Sequence, residues 1–62
     1  MEKRVTILLA DGNEEFCEHF QSVVHTAEGF EVVGVANDGA RAVELTTALE
    51  PDVLVMDLML AK

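Results

Sequence analysis

The sequence predicts an α/β chain of order β-α-β-α-β, with its three strands in one parallel sheet arranged 2-1-3. Two short apolar runs, Val5 to Ala10 and Val53 to Met56, each end on an aspartate, Asp11 and Asp57. The segments that separate the strands carry helical period, and strands alternating with helices of this length imply right-handed parallel crossovers. Half of the 62 residues are hydrophobic, 26% are charged and one is proline. That composition belongs to a folded chain rather than a disordered one.

Val5-Thr6-Ile7-Leu8-Leu9-Ala10 is β-branched and almost wholly apolar, which suits a strand buried on both faces. Asp11-Gly12-Asn13 breaks it. From Glu14 onward, Phe16, Cys17, Phe20, Val23, Val24 and Ala27 recur at the spacing of one helical face. Asn13 is the expected N-cap, Glu14 and Glu15 suit the positive end of the helix dipole, and Gly29 is the expected C-terminal stop. Phe30 to Ala36 is short and valine-rich and reads as the second strand. After the turn Asn37-Asp38-Gly39, the residues Ala42, Val43, Leu45, Thr46 and Leu49 repeat at helical intervals until Pro51 bars the α conformation at the residue before it. Asp52 leads into the third strand. Asp11-Gly12 and Asp38-Gly39 could form hairpin turns, but each precedes a segment of helical rather than alternating period.

In the order 2-1-3 the switch point lies between the first and third strands, and ligands of open α/β sheets bind at such a point, outside the carboxyl ends of the strands. Asp11 and Asp57 both end there. Two neighbouring carboxylates need a cation, a proton or a phosphoryl group to be tolerated.

Length and charge set the bounds. The chain forms at most one small domain, and a chain of this size buries only ~60% of its unfolded surface. Cys17 is the single cysteine, so no internal disulfide can reinforce the core, and a lone thiol fits a reducing cytoplasm. Twelve acidic residues against 4 basic ones give a net charge of −8, which disfavours binding to nucleic acid or to anionic membranes. No signal peptide or membrane-spanning run is expected.

Three segments together carry a family likeness: Leu9-Ala10-Asp11-Gly12-Asn13, then Gly34-Val35-Ala36-Asn37-Asp38-Gly39 with Ala42-Val43-Glu44-Leu45, then Pro51-Asp52-Val53-Leu54-Val55-Met56-Asp57. The pattern closely resembles bacterial response-regulator receiver domains, and within them the receivers of sporulation regulators of endospore-forming bacteria. The resemblance spans residues 1–62 and implies the first three strands and two helices of a partial, flavodoxin-like domain. It implies that Asp57 is the phosphoacceptor of a two-component or phosphorelay pathway, supplied by a histidine kinase or phosphotransferase. It further implies that Asp11, Asp57 and the backbone carbonyl of Met59 hold Mg²⁺. A carboxylate attacking an anionic donor needs such a cation, and Mg²⁺ favours a few carboxylates with waters and phosphate oxygens.

Three departures from the family pattern temper the expectation. Gly12 stands where a second acidic metal ligand is usual, Leu60-Ala61 replaces a common methionine-proline step, and the later Ser/Thr and Lys of the family fall beyond Lys62. The segment is therefore expected to bind Mg²⁺ weakly, to be inactive alone and not to be an enzyme. The resemblance also places the third strand at the centre of a complete sheet. An uncovered edge there is expected to drive self-association, and a phosphorylation-independent interaction module is the alternative function.

Simpler roles are expected elsewhere. Gly12 would supply a positive φ at the strand-to-helix turn, Cys17 would be core, and His19 and His25 would lie on or near the helix surface. Glu14, Glu15 and Glu18 would form a solvated face, on the helix where the resemblance places phosphodonor docking. Met56 and Met59 would be core and loop residues. A nucleotide-binding βαβ unit is disfavoured because no G-x-G-x-x-G follows a strand.

Overall fold

A computed structural model describes residues 3–57. The elements follow in the order β1 (Val5–Ala10), α1 (Glu14–Thr26), β2 (Phe30–Ala36), α2 (Gly39–Leu49) and β3 (Val53–Met56). All three strands lie in one sheet of order β2-β1-β3, and both pairings are parallel. This is the β-α-β-α-β, 2-1-3 arrangement expected of a partial flavodoxin-like sheet.

The almost wholly apolar run of β1 suits the central position, since a strand flanked on both sides and covered on both faces has little use for polar side chains. Leu8, Leu9 and Ala10 are fully buried. The β1–β2 register shifts after Ile7, which pairs with Val32, so that Leu8 pairs with Gly34 and Val33 is an extra residue on β2. Gly34 fits there because it lacks a side chain. A Cβ at this position would lie 2.9 Å from Leu49 Cδ1 and 3.2 Å from Leu8 Cδ1, where α2 lies against the sheet.

Helix α1 begins as its sequence predicts: the Phe16 N–H donates to the Asn13 side chain at 2.9 Å, an N-cap that satisfies one of the free amides of the first turn. Its end differs in detail. Ala27 in extended conformation is the C-cap, and Gly29, at φ 89°, turns the chain only after the helix has finished. The apolar face is also less covered than its period implies. Cys17 and Val24 are buried, whereas Phe16 and Val23 are 41% and 54% exposed. Phe16 instead leans on Phe20, with ring centroids 5.9 Å apart.

Helix α2 is capped by Asp38, whose Oδ1 accepts the Arg41 N–H at 2.8 Å. It stops at Glu50, in the left-handed region at φ 48° and ψ 57°, immediately before Pro51. The first turns of α2 come close to the strand ends because the contact is made of small side chains: Ala10, Ala36 and Ala42 form a buried cluster with Leu45 beside it.

A polar clip fastens β3 to β1 at the end opposite the aspartates. Asp52 Oδ2 accepts from the Thr6 N–H at 2.9 Å and from the Thr6 hydroxyl at 3.1 Å, and the Asp52 N–H donates to the same hydroxyl at 2.9 Å. These bonds, from the Thr6 backbone first and its hydroxyl second, with a smaller contribution from Lys3, hold the Asp52 carboxyl below its ordinary value. A depressed folded-state pKa adds stability that is present above the unfolded value and lost as pH falls through the folded one. Unfolding midpoints should therefore decline below about pH 4, and Asp52→Asn should flatten that decline. Urea titrations at stepped pH measure it, and an identical acid profile for both forms would remove Asp52 as its source.

The face of β3 is the main departure in packing. Val53, Leu54 and Met56 are 42%, 43% and 47% exposed, so Met56 is not a core residue as its sequence position implies. The strand is paired with β1 along one edge and, among the described residues, has no neighbour along the other.

Candidate functional site

Parallel pairing carries the two aspartates to one place. In the β1–β3 register Ala10 faces Met56, the residues immediately before Asp11 and Asp57. The Asp57 N–H donates to the Ala10 carbonyl at 3.0 Å, which continues the ladder one step past β3, and the Asp11 N–H donates to the Ala36 carbonyl at 3.0 Å. Both aspartates are partly buried at the carboxyl end of the sheet, Asp11 after the central strand and Asp57 after β3 beside it.

Hydrogen bonds within the first turn fix Asp11. Its Oδ1 accepts the Asn13 N–H at 2.8 Å, closing an Asx-type turn, while its carbonyl accepts the Cys17 thiol at 3.4 Å. Asn13 in turn caps α1, and the Cys17 N–H donates to the Asn13 carbonyl at 3.0 Å. The turn thus presents a carboxylate whose backbone is held from both sides. Burial pushes the Cys17 thiol up, and the negative charges of Asp11 and Glu14 push it further in the same direction. Thiolate chemistry is disfavoured there, in accord with a packing role for Cys17.

Gly12 does not do what its sequence context implies. Among the described residues the positive-φ glycine is Gly29, and Gly12 is not in the left-handed region. A Cβ at Gly12 would meet only the Asn37 carbonyl, at an ordinary contact distance of 3.5 Å. Position 12 is therefore a surface position with room beside Asp11.

The oxygen donors at this mouth are of the kind a hard divalent cation takes. They are few: among the described residues no group of three or more His, Cys, Asp or Glu side chains is placed to hold a metal. Met59, the expected carbonyl ligand, lies outside the described residues. His19 and His25 are exposed, as are Glu14, Glu15 and Glu18 along α1. The turn expected at Asn37-Asp38-Gly39 also contributes what its sequence reading left unassigned: the Asn37 carbonyl lies beside Gly12, and Asp38 is the α2 cap. An Asp directly before a helical run was the available signal for the cap. No helix among the described residues is long and apolar enough to cross a membrane.

The chain is similar over nearly its whole length to segments of larger bacterial proteins. It is 44% identical over 57 residues to protein-glutamate methylesterase/protein-glutamine glutaminase 2 of Anaeromyxobacter dehalogenans (strain 2CP-C), a stretch covering 92% of this chain and 17% of that protein. It is 41% identical over 56 residues to protein-glutamate methylesterase/protein-glutamine glutaminase 5 of Myxococcus xanthus (strain DK1622), covering 90% and 16%. It is 34% identical over 61 residues to the transcriptional regulatory protein DegU of Brevibacillus brevis, covering 98% and 26%. The chain thus spans a small part of the length of each of these curated relatives. No family model matches it, and no solved structure matches it at a significant level.

Proposed function

We propose that this segment is the first part of a response-regulator receiver domain, with Asp57 as the phosphoacceptor and Asp11, Asp57 and the Met59 carbonyl as the ligands of Mg²⁺. The observation that carries the reading is the meeting of Asp11 and Asp57 at the ends of adjoining parallel strands, at the switch point of the sheet. The relatives support it in a particular way. Two are named as methylesterases and one as a transcriptional regulatory protein, yet they share this same segment. A unit common to proteins of different activity is what a regulatory module attached to different effectors would be. We therefore place any esterase or DNA-binding activity outside residues 1–62 and read the segment itself as not an enzyme. The sporulation-type regulator is the parent we infer from the residue pattern, and the relatives' names set other transcriptional regulators and methylesterases beside it.

In the reaction, a carboxylate oxygen of Asp57 forms a bond to phosphorus as the bond from phosphorus to the donor's leaving nitrogen or oxygen breaks, and the leaving group keeps the electron pair and takes up a proton. Bound Mg²⁺ would supply positive charge against the repulsion between carboxylate and phosphoryl oxygens. Asp11, held by its Asx-type turn, would position one side of the site. A histidine kinase or phosphotransferase is the proposed donor, in the cytoplasm, with the exposed acidic face of α1 nearby. The test uses the intact parent protein with a small phosphodonor and Mg²⁺. One phosphoryl group mapped to Asp57 by mass spectrometry, and lost in Asp57→Asn, is the expected result, whereas labelling elsewhere would discard the assignment.

A second reading rests on a separate observation, the exposed apolar residues of β3 at an edge with no described neighbour. Such an edge invites strand pairing. Two chains would pair through β3 about a two-fold axis, independently of phosphorylation. Sedimentation of the 62-residue chain at micromolar concentration should show a dimer, and a folded monomer would count against it.

A further inference from the structure

We propose that the outer edge of β2, over Phe30 to Val32, is a docking site for an extended basic peptide of a partner protein, which adds to the sheet as a further strand. The site lies at the opposite end of the sheet from Asp11 and Asp57 and stands apart from the phosphoryl chemistry. β2 has β1 along one side and, among the described residues, no strand along the other. Such an edge offers unpaired N–H and C=O groups to an incoming strand. Beside it lies an open groove of about 740 Å³, lined among others by Arg4, by His25 and Glu28 at the end of α1, and by Phe30, Glu31 and Val32. That is the size of a ligand site, and a strand added to β2 would lay its alternate side chains over it.

The extra residue Val33 sets the length of the site. β2 runs in step with β1 from Phe30 to Val32 and again from Gly34, and the inserted residue between them interrupts regular pairing. Glu31 is the middle residue of the stretch that remains. Glu28 and Glu31 are both exposed, and neither has an ion-pair partner among the described residues. Against them the groove sets Arg4, so its lining carries an excess of acid. A second copy of this chain, paired antiparallel through residues 30–32, would place Glu31 opposite Glu31, and like charges directly opposite each other destabilise a sheet. The net charge of −8 adds to that repulsion. A Lys or Arg opposite Glu31 makes the favourable cross-strand pair instead. The occupant is therefore a basic strand from a different protein.

The test adds blocked peptides to the isotopically labelled 62-residue chain and follows its backbone amide resonances. One peptide is Thr-Val-Lys-Val-Thr, and a second carries Glu in place of Lys. The Lys peptide should shift the amides of residues 28–32 and bind at least ~5-fold more tightly than the Glu peptide. Glu31→Lys, a change at an exposed position, should invert that order. Two further Lys peptides, N-methylated on alternate residues in the two possible phases, test the backbone pairing, because only one edge of an added strand faces β2. One phase should lose binding and the other keep it. Equal binding of both phases would overturn the inference by showing that charge alone holds the peptide, and shifts centred on residues 53–56 would do so by moving the site to β3. Shifts at residues 30–32 that depend on protein concentration without peptide would assign the edge to a second copy. The absence of any shift at millimolar peptide would remove the site altogether.

Discussion

Truncation of Leu9 to alanine is expected to unfold most of the chain at room temperature. Leu8 and Leu9 are the largest fully buried side chains, and successive residues of a strand point to opposite faces, so each anchors one layer of the molecule. Leu8 lies on the side where α2 covers Gly34. Leu9 therefore serves the opposite face. A buried Leu→Ala change removes about 2–5 kcal/mol, the larger values arising where the surroundings do not collapse into the cavity. A domain of this length has roughly 3–9 kcal/mol in total, and small domains, which bury the least surface, fall toward the lower figure. The single truncation thus takes a large share of the whole. Val43→Ala is the control, because Val43 is 68% exposed on α2 and alanine is the better helix former. Urea unfolding followed by circular dichroism should show Leu9→Ala largely unfolded without denaturant and Val43→Ala within about 0.5 kcal/mol of the unaltered chain. Similar midpoints for the two would mean that stability does not reside in β1.

The success of the sequence in placing β1 and the limits of that success at β3 have the same physical origin. Periodicity reports which residues share a face, and the two aspartates could be brought together from sequence because parallel crossovers fix where strand ends go. Periodicity does not report whether a face finds a partner. Phe16 and Val23 are on the apolar stripe of α1, and Met56 is in an apolar strand, yet all three are exposed because that stripe and strand are wider than the surface laid against them. The Thr6–Asp52 clip joins residues 46 positions apart, and nothing local in either residue announces the other. The extra residue Val33 was hidden for the same reason, since register is a property of two strands and not of one. At the candidate site, Gly12 misled because a glycine between an aspartate and an N-cap implies a turn that needs it. The backbone there makes no such demand.

The charge arrangement around Asp57 leads to the other large effect. With a small phosphodonor and Mg²⁺, the isolated 62-residue chain is expected to form acyl phosphate at Asp57 about a hundredfold or more slowly than the intact parent, a loss of the size caused by removing one preorganised electrostatic donor. Phosphoryl transfer is catalysed mainly by positioning and by positive charge at the phosphoryl oxygens. Among the described residues that charge is badly placed. Lys3 and Arg4 precede β1 and so lie at the end of the sheet away from Asp11 and Asp57. Arg41, at the start of α2, donates to Glu44 at 2.9 Å, and both side chains are largely exposed. The net charge of −8 adds repulsion toward an anionic donor. Among the described residues no group of three or more His, Cys, Asp or Glu side chains is placed to hold a metal, so in the proposed reading Mg²⁺ would be the remaining source of compensation and would be held by few ligands. Asp57→Asn should abolish whatever signal the chain gives. Time courses by intact-mass spectrometry compare the chain, the parent and Asp57→Asn under one set of conditions. Near-stoichiometric labelling of the 62-residue chain at the parent's rate would show that Asp11, Asp57 and solvent-borne Mg²⁺ suffice for the transfer, and that the sheet mouth needs no further cation to receive a phosphoryl group.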